Sequence, residues 1–386
     1  MLIFFMLFVV FMLHINFLLQ NIFLGRDSAQ FFGQTMTYNF DVATSILALQ
    51  FVALCMFGFY LGYKIIYRGN SFTCYDNSIR ITRMTTSITV ASSLIIILYV
   101  LYVSYVSDFT YHLMHNFRSK NSFIFEFRMV YLVLLSFHLL NIPIRILVKE
   151  KRYRWLRVTF VLYCIALISF KARSPIFEVF VVFLYSYAMW KKDKFKFKYV
   201  LAFFALLIFP NLFVMLRMEA PDDWQTFIAS LFYFEYATLL NNFLGTVIFY
   251  QIDNEYVSFI SQIQLIIPSP LRNLFEFTKS NYDYFSRVSN LAELHGGGFS
   301  LIAQMYSDFK FNSFFVFFLI GLLIGWLNKK ASNIGRVPLF YAISPLIYSM
   351  FILSLRNDFG IFFKYSIQIM ILGLILEFFR RGVKIR

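Results

Sequence analysis

The chain alternates long apolar stretches with short polar turns along its 386 residues. A helix needs about 20 apolar residues to cross the roughly 30 Å hydrocarbon core of a bilayer, and stretches such as 199–216 approach that length. With 60% hydrophobic and only 14% charged residues, the composition lies outside the range of a soluble domain. The sequence therefore predicts an all-α polytopic membrane protein.

We predict about ten spans, with twelve as the upper limit. They divide the chain into helices one to seven in 1–216, a large loop in 217–310, and helices eight to ten in 311–386. The first stretch lacks the basic start and small-residue cleavage site of a signal peptide, so we expect it to be retained. The predicted spans are 1–19, 42–63, 88–106, 129–148, 156–171, 175–190, 199–216, 311–327, 337–355 and 359–379.

The basic residues are concentrated at every second turn. More than half of the 35 Lys and Arg residues lie after spans two, four, six and eight or at the C-terminus. The positive-inside rule places these turns in the cytoplasm, which predicts that both termini are inside. The net charge of +15 is therefore read as an orientation signal, and we expect no nucleic-acid partner.

The segment 217–310 is the longest predicted turn, and it lies on the outer face. Long loops on a rigid scaffold commonly carry function. Its apolar parts, 227–250 and 256–267, are expected either to lie along the membrane surface or to dip into it as a buried pair.

Several arginines lie on this outer side, where basic residues are statistically disfavoured. Ser174 and Pro175 suit the start of the next helix, so free N–H groups and the Arg173 guanidinium could hold an anion together. Arginine binds phosphate through paired hydrogen bonds. The alternative is that each arginine reaches towards lipid headgroups. The set is Arg173, Arg217, Arg272, Arg287 and Arg356.

Glu178 lies about one turn inside the outer boundary of span six, where an unpaired carboxylate is costly. Arg173, Arg217 or a substrate hydroxyl could pair with it, and a purely structural ion pair is the alternative.

A second group of polar residues precedes a flexible turn in the long loop. Arg287 supplies a cation, and Glu293 and His295 supply candidate bases within a few residues. Gly298 ends the Gly-rich turn that follows. The alternative is that Glu293 and His295 are ordinary solvated side chains.

No metal or other cofactor is expected. CxxC, HExxH and Walker-type motifs are absent from the sequence. His112 and His115 are spaced like metal ligands, but no clear further ligands lie nearby. Asp253 and Glu255 resemble a two-carboxylate metal site, but such triplets often arise by chance.

The segment 296–309, read with 314–325, resembles the O-antigen polymerases of the Wzy type. These show a Gly-rich turn, a polar-aromatic stretch and a Gly-containing span after a large outer loop. Arg287 and Gly298 also match an Arg-x10-Gly pattern of that family. The chain departs from the family at Gln304, where a glutamate is expected, and at 308–310, where Asn-Phe-Gly is common.

The resemblance implies a metal-independent glycosyltransferase with a GT-C-like helical fold in the bacterial inner membrane. Its substrates would be undecaprenyl-pyrophosphate-linked oligosaccharides, surrounded by membrane lipids, and its partners a flippase and a chain-length regulator. Arg173, Arg217, Arg287 and Arg356 would hold the pyrophosphates, and Glu293 or His295 would be the base. An O-antigen ligase and a lipid-linked oligosaccharide transporter are the alternatives.

Overall fold

The structure of the protein is a computed structural model. It describes residues 29–31, 34–36, 42–67, 83–108, 113–114, 122–170, 173–191, 301–332, 337–354 and 359–382.

The described part of the chain is nearly all helical. A single short hairpin precedes the helices there, with β1 (Ala29–Phe31) antiparallel to β2 (Gln34–Met36) and Gln30 opposite Thr35. The α-helices are α1 (Val42–Ile66), α2 (Arg83–Val106), α3 (Ser122–Asn141), α4 (Ile144–Lys149), α5 (Arg154–Ser169), α6 (Arg173–Lys191), α7 (Leu301–Phe309), α8 (Ser313–Ala331), α9 (Ser344–Ser354) and α10 (Phe359–Gly382). Short 3-10 turns occupy Lys151–Tyr153, Lys310–Asn312 and Leu339–Ile343.

Three helical segments in these ranges are long and apolar enough to cross a membrane: Met84–Val106, Lys310–Ala331 and Phe362–Arg381. Shorter apolar helices cover Gln50–Ile66, Phe127–Asn141, Pro175–Trp190 and Leu339–Ser354. The prediction of a nearly all-helical chain is confirmed for the described residues, and these three segments are compatible with the predicted membrane protein. The number of spans stays a prediction.

The outward faces of these helices are apolar. On α2, large side chains recur every three or four residues on one exposed face, and Tyr105 at the end of that stripe is 78% exposed. Such a face would be insoluble in water but suits a lipid environment. The exposed stripe of α2 is Leu94, Ile95, Leu98, Leu101, Tyr102 and Tyr105.

Every predicted span within the described ranges contains a helix. In two of these spans a proline interrupts the helix or delays its start. The predicted span 129–148 is interrupted, since α3 ends at Asn141 and α4 begins after Pro143. Proline cannot donate the backbone hydrogen bond that a continuous helix needs there. The predicted span 337–355 likewise starts as a 3-10 turn after Pro338. Predicted spans 1–19 and 199–216 lie outside the described residues.

The described residues divide into two compact units. The first lies within Met1–Arg68, Val200–Trp326 and Met350–Ile367, and the second within Gly69–Tyr199, Leu327–Ser349 and Gln368–Arg386. Of the predicted outer loop, only 301–310 is described, so the predicted three-part division stays a prediction.

In the first unit, α1 and α8 meet through four glycines, two on each helix and one turn apart. A Cβ atom on Gly62 would overlap the Phe318 carbonyl oxygen, and one on Gly321 would overlap that of Phe59. Small residues at this spacing let two helix backbones approach closely, as is common between membrane helices. The four are Gly58, Gly62, Gly321 and Gly325.

In the second unit, α2 packs on α3 and α5, and α3 also packs on α6 and on the Leu339–Ile343 turn. The buried face of α2 carries hydroxyl residues. Thr89 donates to the Thr85 carbonyl oxygen, and Ser92 to that of Thr89. Ser and Thr commonly form such bonds within their own helix in apolar surroundings, and the Thr89 oxygen also lies 3.0 Å from His138 Nε2 on α3.

Candidate functional site

A buried ion pair joins α3 and α6 in the second unit. Arg128 Nε lies 3.1 Å from Glu178 Oε2, and Arg128 Nη2 donates to Glu178 Oε1 at 3.2 Å. Arg128 is 3% exposed and Glu178 is 1% exposed. This bidentate arrangement is the geometry in which arginine best compensates a desolvated carboxylate.

The ion pair indicates that α3 and α6 run in the same direction. Arg128 lies roughly 9 Å along the axis from the start of α3, and Glu178 roughly 7.5 Å from the start of α6, at 1.5 Å per residue. Side chains at such similar depths can pair only if both helices begin on the same side. The basic-residue pattern predicts that this side is the outer one.

Two tyrosines extend the polar cluster around the pair. Tyr131 lies one turn after Arg128 on α3, and its ring centroid is 4.6 Å from that of Tyr163 on α5. Both side chains are fully buried, and neither hydroxyl group has a hydrogen-bond partner among the described residues. Tyr163 is also close enough to interact electrostatically with Glu178 and Arg128. A buried hydroxyl without a partner is unfavourable by about 1–3 kcal/mol.

The structure gives Glu178 a partner that the sequence interpretation did not consider. Arg128 immediately precedes the predicted span 129–148 and is not among the predicted site residues. One feature of the sequence could have indicated this pairing: Arg128 and Glu178 carry opposite charges near the outer ends of two predicted spans. Their pairing depends on which helices are neighbours, which spacing along the chain does not contain.

Helix α6 begins at Arg173, two residues before the predicted span. Ser174 therefore lies within the first turn rather than at the cap, and Pro175 is accommodated there because first-turn N–H groups have no partner within the helix. For Arg173 only the backbone is described.

The remaining predicted site residues lie outside the described residues, so their roles stay predictions. They are Arg217, Arg272, Arg287, Glu293, His295, Gly298 and Arg356. In α7, Gln304 is fully buried.

His138 is buried on α3, and its Nδ1 has no hydrogen-bond partner among the described residues. Its Nε2 lies 3.0 Å from the Thr89 hydroxyl oxygen of α2. Within the described ranges, no three His, Cys, Asp or Glu side chains are grouped as in a metal site. His112, His115, Asp253 and Glu255 lie outside those ranges.

Comparison with known proteins gives no relative: no family model, no curated protein and no solved structure matches this chain.

Proposed function

We propose that the chain is a membrane glycosyltransferase that polymerises undecaprenyl-pyrophosphate-linked oligosaccharide units on the outer face of a bacterial inner membrane. It has a GT-C-like arrangement of about ten spans with both termini in the cytoplasm. The observation that carries the proposal is the set of arginines on the side opposite the basic turns. The buried Arg128–Glu178 pair supports it, because Glu178 follows Arg173 by little more than one turn on α6, on the predicted outer side.

The chemistry fits a donor that already carries its leaving group. The bond from the sugar carbon to the donor pyrophosphate breaks, and negative charge builds on that group. Arg173, Arg217, Arg287 and Arg356 stabilise this charge most strongly in the transition state. The oxocarbenium-like carbon then bonds to an acceptor hydroxyl, whose proton passes to Glu293 or His295.

A transporter of the same lipid-linked units is the main alternative, and an O-antigen ligase is the nearest alternative enzyme. A transport path needs polar side chains that face one another along the depth of the spans. The buried hydroxyls of α2 that donate to their own backbone do not supply such a path. We prefer the enzyme because the predicted arginines gather on one face of the membrane, as a one-sided reaction requires.

The direct test uses the purified protein in liposomes with a synthetic lipid-linked repeat unit and a metal chelator. A ladder of products that grows by one unit at a time is expected without nucleotide or metal. Translocation of the unit without any new glycosidic bond would favour the transporter, and transfer of a finished chain to a different acceptor would favour the ligase.

Replacing Arg173 should lower the polymerisation rate without removing the protein from the membrane. Arg173→Ala is expected to reduce the rate roughly 100-fold or more, the usual effect of removing one transition-state donor. Arg173→Lys should also be impaired, because a single ammonium group cannot bind phosphate through two parallel hydrogen bonds. Product length on gels, normalised to protein abundance, measures both effects. Wild-type polymer from Arg173→Ala would remove this residue from the site.

A further inference from the structure

A groove of 710 Å³ lies in the second unit between residues 338–341 and the last turns of α10. Phe340 and Tyr341 line one wall, and Leu374, Ile375 and Phe378 line the other. Phe378 is 75% exposed, so the apolar lining continues onto the outer surface of the helix. The groove is therefore open to whatever surrounds α10, and α10 contains one of the segments that are able to cross a membrane.

Glu377 holds the two walls together. Its Oε2 accepts a hydrogen bond from the Leu339 backbone N–H at 2.9 Å and another from Arg380 Nε at 3.0 Å. Its Oε1 accepts from Arg381 Nε at 2.9 Å. The carboxylate is thus neutralised inside the structure, and the shape of the groove does not depend on an occupant.

The end of the groove near Arg381 is positively charged. The Arg381 side chain lines the groove and is 70% exposed, although its Nε is bound to Glu377. Lys330, at the end of α8, is also exposed and lies over the Tyr341 ring with 6.0 Å between Nζ and the ring centroid. Arg380 and Arg381 bind Glu377, and Lys330 lies beside Tyr341, so this rim holds three cations and one carboxylate and carries a net positive charge.

We propose that this groove binds an anionic phospholipid, with an acyl chain along Leu374 and Phe378 and the phosphate beside Arg381 and Lys330. The lining is apolar where the helix lies at hydrocarbon depth and cationic at the helix end, which matches the two parts of such a lipid. Basic residues beside the membrane attract anionic headgroups, and the volume lies in the range of ordinary small-molecule sites. In the proposed orientation this site faces the cytoplasmic leaflet, away from the arginines on the outer side.

The test measures lipids retained by the full-length protein. The protein is placed in nanodiscs of phosphatidylcholine with a minor fraction of phosphatidylglycerol, extracted into mild detergent and analysed by native mass spectrometry. Wild type should retain phosphatidylglycerol in preference to phosphatidylcholine. Lys330→Gln with Arg381→Gln should weaken retention roughly 30-fold, which corresponds to about 1 kcal/mol for each of the two charges. Leu374→Trp, which fills the groove from an exposed position, should abolish it.

Matched controls distinguish lipid binding in this groove from a general attraction of anionic lipids to basic residues. Arg152 resembles Arg381 in being largely exposed and bound to a glutamate, Glu150, so Lys151→Gln with Arg152→Gln removes the same charge elsewhere. That variant should keep wild-type retention. All variants should remain folded, because in the Arg381 variant Glu377 keeps its hydrogen bonds from Arg380 and the Leu339 N–H. Three results would overturn the proposal. The first is an equal loss of phosphatidylglycerol retention in both double variants, and the second is unchanged retention in Leu374→Trp. The third is a preference for a polyprenyl phosphate over phosphatidylglycerol.

Discussion

Arg128→Met should prevent the protein from accumulating in a folded form, because it leaves the Glu178 carboxylate buried without its bidentate partner. Removing one member of a buried ion pair typically lowers the free energy of unfolding by about 3–5 kcal/mol, which is a large part of a protein's total stability. The measurement is the thermal melting temperature and the monodisperse fraction in detergent.

The double variant Arg128→Met with Glu178→Leu provides the informative comparison. Replacing both charges by apolar side chains of similar size removes the desolvation penalty, so folding should be largely restored. If the pair also positions the outer end of α6, the double variant should be folded but polymerise roughly 10- to 100-fold more slowly. A folded and fully active double variant would show that the pair serves stability alone.

The exposed pair of Glu150 and Arg152 is the matched control. A solvent-exposed ion pair contributes about 0–1 kcal/mol, so Arg152→Ala should leave the melting temperature almost unchanged. If Arg152→Ala lowered the melting temperature as much as Arg128→Met, burial would not be the reason for the destabilisation by Arg128→Met.

Gly321→Ala should disrupt the packing of α1 against α8. The added methyl group would meet the Phe59 carbonyl oxygen, which belongs to the helix backbone and cannot move without displacing α1. Overpacking of this kind costs about 1–3 kcal/mol or more, although alanine is intrinsically the better helix former by about 1 kcal/mol. Thermal melting in detergent is the measurement.

Gly373→Ala is the control for this prediction. Its Cβ atom would lie 2.7 Å from Ile343 Cγ2, which is a longer distance than the 2.3 Å at Gly321 and involves a side-chain methyl group rather than a backbone carbonyl. The loss should therefore be clearly smaller than for Gly321→Ala. The interpretation of α1 and α8 as a close backbone contact fails if the two substitutions lower the melting temperature equally.

The sequence predicted the positions of the helices better than it predicted which helices pack together. Apolar stretches identified where helices form, and the prolines at 143 and 338 mark the two places where a predicted continuous span is broken. The glycine spacing on α1 and α8 is visible in the sequence, but nothing local indicates that these two helices pack together. Pairing between helices far apart along the chain is a property of tertiary packing.

The same limit applies to the candidate site. The sequence predicted that the Glu178 carboxylate, one turn inside span six, needs a partner that donates hydrogen bonds or carries positive charge. It did not identify Arg128, because many arginines are available at the outer ends of spans and only the arrangement of α3 beside α6 selects one.

Which side of the membrane each turn faces is the claim on which the proposed function depends, and cysteine labelling tests it most directly. In a cysteine-free background, single cysteines are placed at Lys171 and Ser289 for the outer side and at Lys192 and Lys330 for the inner side. Intact cells are treated with a membrane-impermeant maleimide. We expect labelling at positions 171 and 289 in intact cells, and at 192 and 330 only after the membrane is opened. Labelling of 192 and 330 in intact cells, with 171 and 289 protected, would contradict the account.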